Sequence, residues 1–364
     1  MVVSVVLVVA CVCSISVGGS RLVFQRESPG IFASVIHVGT PPTRVSVAAS
    51  FDSDVSSLLD YRPEDSTSFR VMVPPVVRNS VDFRGIIDSN FLAISESLHI
   101  GAEILTSSFV RVVTPSRGDR MAAGAGLSGR IALGPTCDLA RKYILRLAGR
   151  SVNVGGKGTV DGFTLDLVHE SIGTDHIVVA TPLIMPEAWV MRGTFTLGTS
   201  RMMPSRIEID PILDFVVFPI DIFWGDDGLI NFFNHPVDVD IDAETGLCTL
   251  LLPCDTEGLI RVPQDFQIEL AGTDQRIGLQ LPITLGQRNE KGFCMSALKS
   301  HAAARHIIIG RPVLDGRQGI EFDGVAREIR FIEDFTSSGG RVPLNAAKPA
   351  LPGFSVVSLK KNDS

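Results

Sequence analysis

Arg44-Val45-Ser46-Val47-Ala48-Ala49-Ser50-Phe51 leads into Asp52-Ser53-Asp54, and Ile207-Glu208-Ile209 leads into Asp210-Pro211-Ile212. Both are β-like runs that end on a carboxylate. Later in each half an apolar run closes on a glycine, Arg130-Ile131-Ala132-Leu133-Gly134 in the first and Ile307-Ile308-Ile309-Gly310 in the second. Such an echo within one chain implies two similar β lobes, each presenting one acid. Asp52 and Asp210 would then face each other across a cleft between the lobes.

Outward from these runs the pattern stays β-like. Residues 31–38, 44–51, 193–199, 237–242 and 266–270 show partial or full period-two alternation, with Gly and Pro turns too closely spaced for helices. Residues 137–147, with Asp138 near the start, make the best helical segment, and 295–305 a weaker one. The expectation is a mostly β, bilobal protein with few short helices.

The chain has 364 residues, 45% hydrophobic and 20% charged, a globular composition long enough for two domains. Its formal charge of −7, without a Lys/Arg run, excludes the footprint of a nucleic-acid binder. Residues 2–17 are apolar and small, followed by Gly18-Gly19-Ser20-Arg21. This reads as a signal peptide over residues 1–19, cleaved after Gly19, with an uncleaved anchor as the alternative. The longest later apolar stretch, 172–190, is broken by Asp175, Pro182, Pro186 and Glu187, so no membrane contact is expected after cleavage. The remaining divisions are a first β lobe at 20–185, a second at 186–336, and an extended or disordered tail at 337–364. The mature chain keeps Cys137, Cys248, Cys254 and Cys294, a set that permits three pairings in an oxidising compartment.

At these residues the sequence resembles the pepsin-like aspartic proteases over nearly all of 21–334. Phe32 to Pro42 resembles the family's first strand and Gly-Thr-Pro-Pro turn, and Phe51 to Leu58 resembles Phe-Asp-Thr-Gly-Ser-Ser-x-Leu. Trp189-Val190-Met191 resembles the crossover strand, and residues 210–219 the second Asp-Thr-Gly segment. Ile308-Ile309-Gly310-Arg311, Phe322-Asp323 and Ile329-Arg330-Phe331 resemble the closing strands. Pro253-Cys254-Asp255, Val262-Pro263 and Cys294 resemble the second-lobe disulfide region, which implies a Cys254–Cys294 bridge.

The resemblance implies a dyad in which two carboxylates share one proton, one acting as base on a water and the other as acid toward a peptide carbonyl. Asp52 and Asp210 are its candidates. Their neighbours depart from the pattern. Ser53 keeps a hydroxyl, whereas Pro211 has neither hydroxyl nor N–H. Asp54 and Ile212 replace the glycines that let amides approach the carboxylates. Residues 71–84, where the family has a Tyr-Gly flap, read Val-Pro-Pro-Val-Val without Tyr; Tyr61 and Tyr143 lie elsewhere. Arg330 replaces a small residue, and Arg130-Ile131-Ala132 is set against Ile-Leu-Gly. The implied function is a secreted or lumenal monomeric pseudoenzyme that binds a peptide or protein in the cleft; the alternative is an active divergent aspartic endopeptidase.

Other motifs fail on chemistry. Asp238, Asp240, Asp242 and Glu244 lack the glycine of a calcium loop, since Ala243 stands there. Gly155-Gly156-Lys157-Gly158-Thr159 lacks Ser or Thr directly after Lys and reads as a hairpin turn rather than a phosphate loop. Gly126-Leu127-Ser128-Gly129 has its second glycine one position early for a nucleophile elbow. The seven His lack paired ligand spacing, so neither a metal nor a cofactor is expected.

Overall fold

The computed structural model describes residues 20–28, 30–59, 66–71, 91–101, 103–112, 125–148, 151–154, 158–171, 177–197, 201–225, 228–233, 237–243, 245–254, 267–271, 276–280, 285–288, 292–314, 319–332 and 354–357. Residues 1–19, expected to be a signal peptide, Asp255, Val262-Pro263 and residues 72–84, where the resemblance would put a flap, lie outside the described residues.

Among the described residues the chain is mostly β, in one sheet of 14 strands and one of 11. The first sheet runs Ile177–Pro182, Glu328–Ile332, Gly319–Asp323, Ile144–Ala148, Gly158–Val168, Ser20–Ser28, Ile31–Val38, Thr43–Ser50, Gly129–Ala132, Ser56–Leu58, Glu103–Val112, Phe91–Ile100 and Arg70–Val71. Ser151–Val154 pairs back onto Gly158–Val168, and residues 155–157 lie outside the described residues. The second sheet runs Asp238–Ile241, Cys248–Pro253, Phe293–His301, Val216–Pro219, Ile307–Ile309, Arg201–Ile209, Val190–Leu197, Gln267–Ala271, Arg276–Gln280 and Phe354–Val357, with Leu285–Arg288 beside Phe293–His301. Two strands from late in the sequence, Gly319–Asp323 and Glu328–Ile332, complete the first sheet rather than the second.

The two halves repeat one uncommon arrangement. Gly129–Ala132 lies between Thr43–Ser50, to which it is parallel, and Ser56–Leu58, to which it is antiparallel. Ile307–Ile309 lies in the same way between Arg201–Ile209 and Val216–Pro219. In both halves the strand after the Asp-bearing loop continues into a parallel pairing, with Glu103–Val112 in the first and Phe293–His301 in the second. A short helix follows each inserted strand, Asp138–Lys142 and Arg311–Leu314.

Register then corrects one sequence match. Ser50, two residues before Asp52, lies opposite Ala132, and Glu208, two before Asp210, lies opposite Ile308. Ala132-Leu133-Gly134 is therefore the counterpart of Ile308-Ile309-Gly310, and the first half keeps its apolar-apolar-glycine run two residues later than Arg130-Ile131-Ala132.

Both expected helices are also corrected. The first stops at Lys142 because Tyr143 is extended, at φ −131° and ψ 152°, and Ile144–Ala148 is a strand paired on both sides. Residues 295–301 belong to the strand Phe293–His301, held between Cys248–Pro253 and Val216–Pro219. Pairing on both sides outweighs a weak local helical pattern.

The main core is one apolar cluster that includes Phe24, Phe32, Phe51, Phe163, Trp189 and Phe322. The Phe322 ring lies 5.3 Å from Phe51 and 5.0 Å from Trp189, centroid to centroid. Cys254 and Cys294 form a disulfide with a Cα separation of 5.0 Å. Cys137 and Cys248 are free thiols. Among the described residues no helix is long and apolar enough to cross a membrane.

Candidate functional site

Asp52 lies in the tight loop between Thr43–Ser50 and Ser56–Leu58, half-buried, with Ser50 Oγ donating to its Oδ1 at 2.6 Å. Asp210 opens the corresponding loop of the second half and is fully buried. Its backbone N–H donates to Ile309 O at 3.0 Å, its carbonyl accepts from Leu213 N at 3.2 Å, and its Oδ1 accepts from Ile212 N at 3.2 Å. A carboxylate two residues upstream of the amide it accepts from is an Asx turn, which fixes its orientation locally.

Trp189 ties the two loops together. Its buried indole N–H donates to Leu133 O at 2.8 Å, while its own carbonyl accepts from Ile209 N at 3.1 Å. Leu133 N in turn donates to Ser50 O at 2.8 Å. A continuous chain of hydrogen bonds thus leads from Ser50, two residues before Asp52, to Ile209, immediately before Asp210. Sequence reading placed Trp189 only on a crossover strand; its bridging role depends on partners far away in the chain.

The residues that follow each Asp are engaged locally. Ser53 Oγ donates to Val55 O at 2.9 Å and accepts from Val55 N at 3.3 Å, so its hydroxyl closes its own loop. Asp54 Oδ1 accepts from Thr136 N at 3.0 Å, across from Gly134. Pro211 is buried, and half-buried Ile212 packs against the main core. Asp214, four residues past Asp210, accepts from Arg26 Nη2 at 2.6 Å and from Gly30 N at 3.0 Å, which anchors the second loop to the first half. Arg26 also pairs with Asp161, as does Arg311, and both guanidiniums lie over the Phe32 ring.

Burial pushes the Asp54 carboxyl above its ordinary value, against the opposing pull of its Thr136 hydrogen bonds and of Arg141, and Glu187 adds to the rise. An acid with a raised folded-state pKa binds more protons folded than unfolded above the ordinary value of 3.8. Its contribution to stability is complete below that value and is lost as pH rises through the folded pKa. Asp54→Asn keeps an oxygen for Thr136 N and removes this titration. The fall in stability with rising pH above about 4 should therefore be shallower in the variant, read as the difference in urea midpoints between variant and wild type; parallel profiles would refute it.

Arg330, a departure from the resemblance, has a structural reason. It stands opposite Glu321 in the sheet and pairs with Asp323 at 2.8 Å and Glu328 at 2.5 Å, while Glu321 also holds Arg146 at 2.7 Å. Among the described residues no group of three or more His, Cys, Asp or Glu is gathered to hold a metal. Burial pushes the Cys137 thiol up to about 12, and its Sγ accepts from Ala140 N as a helix cap, which leaves it a poor nucleophile. No family model and no curated protein matches the chain.

Proposed function

We propose that the chain is a secreted or lumenal homologue of the pepsin-like aspartic proteases, with two pseudo-symmetric lobes, that holds an extended peptide or protein segment between its halves without cleaving it. The reading rests on one observation: two equivalent loops, each bearing an Asp, are joined through Trp189, while the residues after each Asp are committed to other partners. The disulfide supports an oxidising compartment.

Peptide hydrolysis by a dyad needs donors aimed at the charge that develops on the carbonyl and a water held between the acids. Asp54 turns its carboxylate onto Thr136 N, and Pro211 offers no N–H. Ile212 introduces a branched side chain where the family has glycine. An active endopeptidase is the second reading, favoured by the surviving supports of both acids, Ser50 Oγ on Asp52 and Ile212 N on Asp210.

A cleavage assay on an unfolded protein substrate separates the two. Between about pH 2 and 6, the range of a shared-proton dyad, the wild type should leave the substrate intact, and Asp52→Asn and Asp210→Asn should behave identically to it. Acid proteolysis that either substitution abolishes would establish the peptidase, because an amide cannot serve as the base.

A further inference from the structure

Strand Ile31–Val38 meets strand Phe91–Ile100 over two residue pairs, His37 with His99 and Val38 with Leu98. Ile36, Val38, Leu98 and Ile100 are buried, so the alternate positions His37 and His99 share the outer face of the sheet. His37 is exposed and His99 half-buried. Residues directly opposite on antiparallel strands have Cβ atoms about 4.5 to 5.5 Å apart. Two imidazoles hung from that spacing can converge on one ion, since nitrogens bound to zinc at about 2.0 to 2.1 Å stand roughly 3.3 Å from each other.

A second feature prepares one of the rings. His99 Nε2 lies 3.0 Å from Gly39 O. A carbonyl only accepts, so Nε2 carries the hydrogen and Nδ1 keeps the lone pair in the neutral ring. Metal-binding histidines are held in this way, with the other ring nitrogen donating to a backbone carbonyl or a carboxylate, which fixes tautomer and orientation. Gly39 N donates in turn to Ser97 O at 2.8 Å, so the carbonyl that holds the ring belongs to the same junction. Along the row, exposed Arg44 lies opposite His37 and exposed Ile104 opposite His99. Arg44 repels a cation and Ile104 supplies no ligand, which leaves two protein ligands.

We propose that His37 and His99 form a two-imidazole site for a divalent transition-metal ion of the zinc and copper class, which ties strand Ile31–Val38 to strand Phe91–Ile100. Imidazole suits these ions, whereas magnesium and calcium take oxygen ligands. With fewer protein ligands than a resident zinc has, waters complete the coordination and the ion exchanges. The site stands apart from the paired Asp loops and does not depend on the function proposed for them.

The test uses the full chain with Cys248→Ser, which removes a half-exposed free thiol that would compete for metal. This parent protein is titrated calorimetrically with zinc chloride near neutral pH, and one ion should bind. His37→Ala and His99→Gln should each weaken binding at least about 10-fold, and magnesium chloride should give no binding. Gln keeps an amide donor for Gly39 O, so its effect follows from the missing ring nitrogen and not from a broken junction. Zinc should also slow hydrogen exchange at residues 37–39 and 97–99 in the parent and leave it unchanged in His37→Ala.

Affinity unaltered by His37→Ala, or no zinc bound by the folded parent at millimolar concentration, would overturn the site. Binding whose exchange protection falls elsewhere on the chain would do the same. Copper chloride separates the two ions: tighter binding that both substitutions weaken supports the same site, and copper binding that neither alters refutes it.

Discussion

Gly310→Ala should cost about 4 kcal/mol or more, close to the largest effects a single substitution produces. A Cβ built on Gly310 would lie 2.1 Å from Phe215 O and 2.5 Å from Leu213 O, both backbone atoms of the loop that Asp210 opens. Backbone cannot rotate away as a side chain can, so the loop would have to retreat by roughly an ångström to reach ordinary contact. That retreat would also break the bond from Arg311 N to Leu213 O, now 2.7 Å. Gly134→Ala meets Asp54 Oδ1 at 2.6 Å and Ser53 O at 2.7 Å and should cost less, because one of its two obstacles is a side-chain oxygen. Urea unfolding of both variants would check the order. A Gly310→Ala protein within about 1 kcal/mol of wild type would mean that the second loop yields far more readily than close packing allows.

Glu321→Ala should destabilise by about 3 to 5 kcal/mol, the usual range when one member of a buried ionic group is removed. Glu321 is completely buried, yet it accepts from Arg146 Nε at 2.9 Å and from Ser171 Oγ at 2.5 Å, with Arg330 Nη1 at 3.5 Å. Register puts Arg146, Glu321 and Arg330 in one row across three adjacent strands. Removing the central acid leaves two guanidiniums facing each other in poor solvation, although Arg330 keeps Asp323 and Glu328. Glu321→Met combined with Arg146→Met should be much less damaging than Glu321→Ala alone, since the apolar pair fills a similar volume and the remaining Arg330 keeps Asp323 and Glu328. Chemical unfolding of the two proteins side by side is the check, and a double variant weaker than the single one would show that the Arg146–Glu321 pair contributes net stability.

Much of this architecture can be read from local sequence, because local sequence carries period and turn chemistry. The strands at 31–38, 43–50 and 190–197 alternate or hold a continuous apolar run, and the Asp at each loop is visible as the end of such a run. What escapes is whatever depends on a partner distant in sequence. Arg330 reads as a loss until Glu321 appears across the strand. Asp54 reads as a stray charge until Thr136, 82 residues on, supplies its donor. The two-residue offset between Arg130 and Ala132 follows from pairing alone, since Ile131 and Leu133 are equally apolar. The helix expected over 137–147 ends early for the same reason: Leu145 and Leu147 meet strand neighbours at residues 320 and 322, which no local window includes.

The late completion of the first sheet has a consequence for how the protein is made. Ile144–Ala148 receives its second neighbour only when Gly319–Asp323 has been synthesised, about 170 residues later. At the ordinary rate of chain elongation, about 5 to 20 residues per second, that interval is roughly 10 to 30 s. Throughout it the nascent first half carries a strand paired on one side only and lacks Phe322 against Phe51 and Trp189. Ribosome-bound chains stopped near residue 300 should therefore engage chaperones, and chains extended past Ile332 should release them.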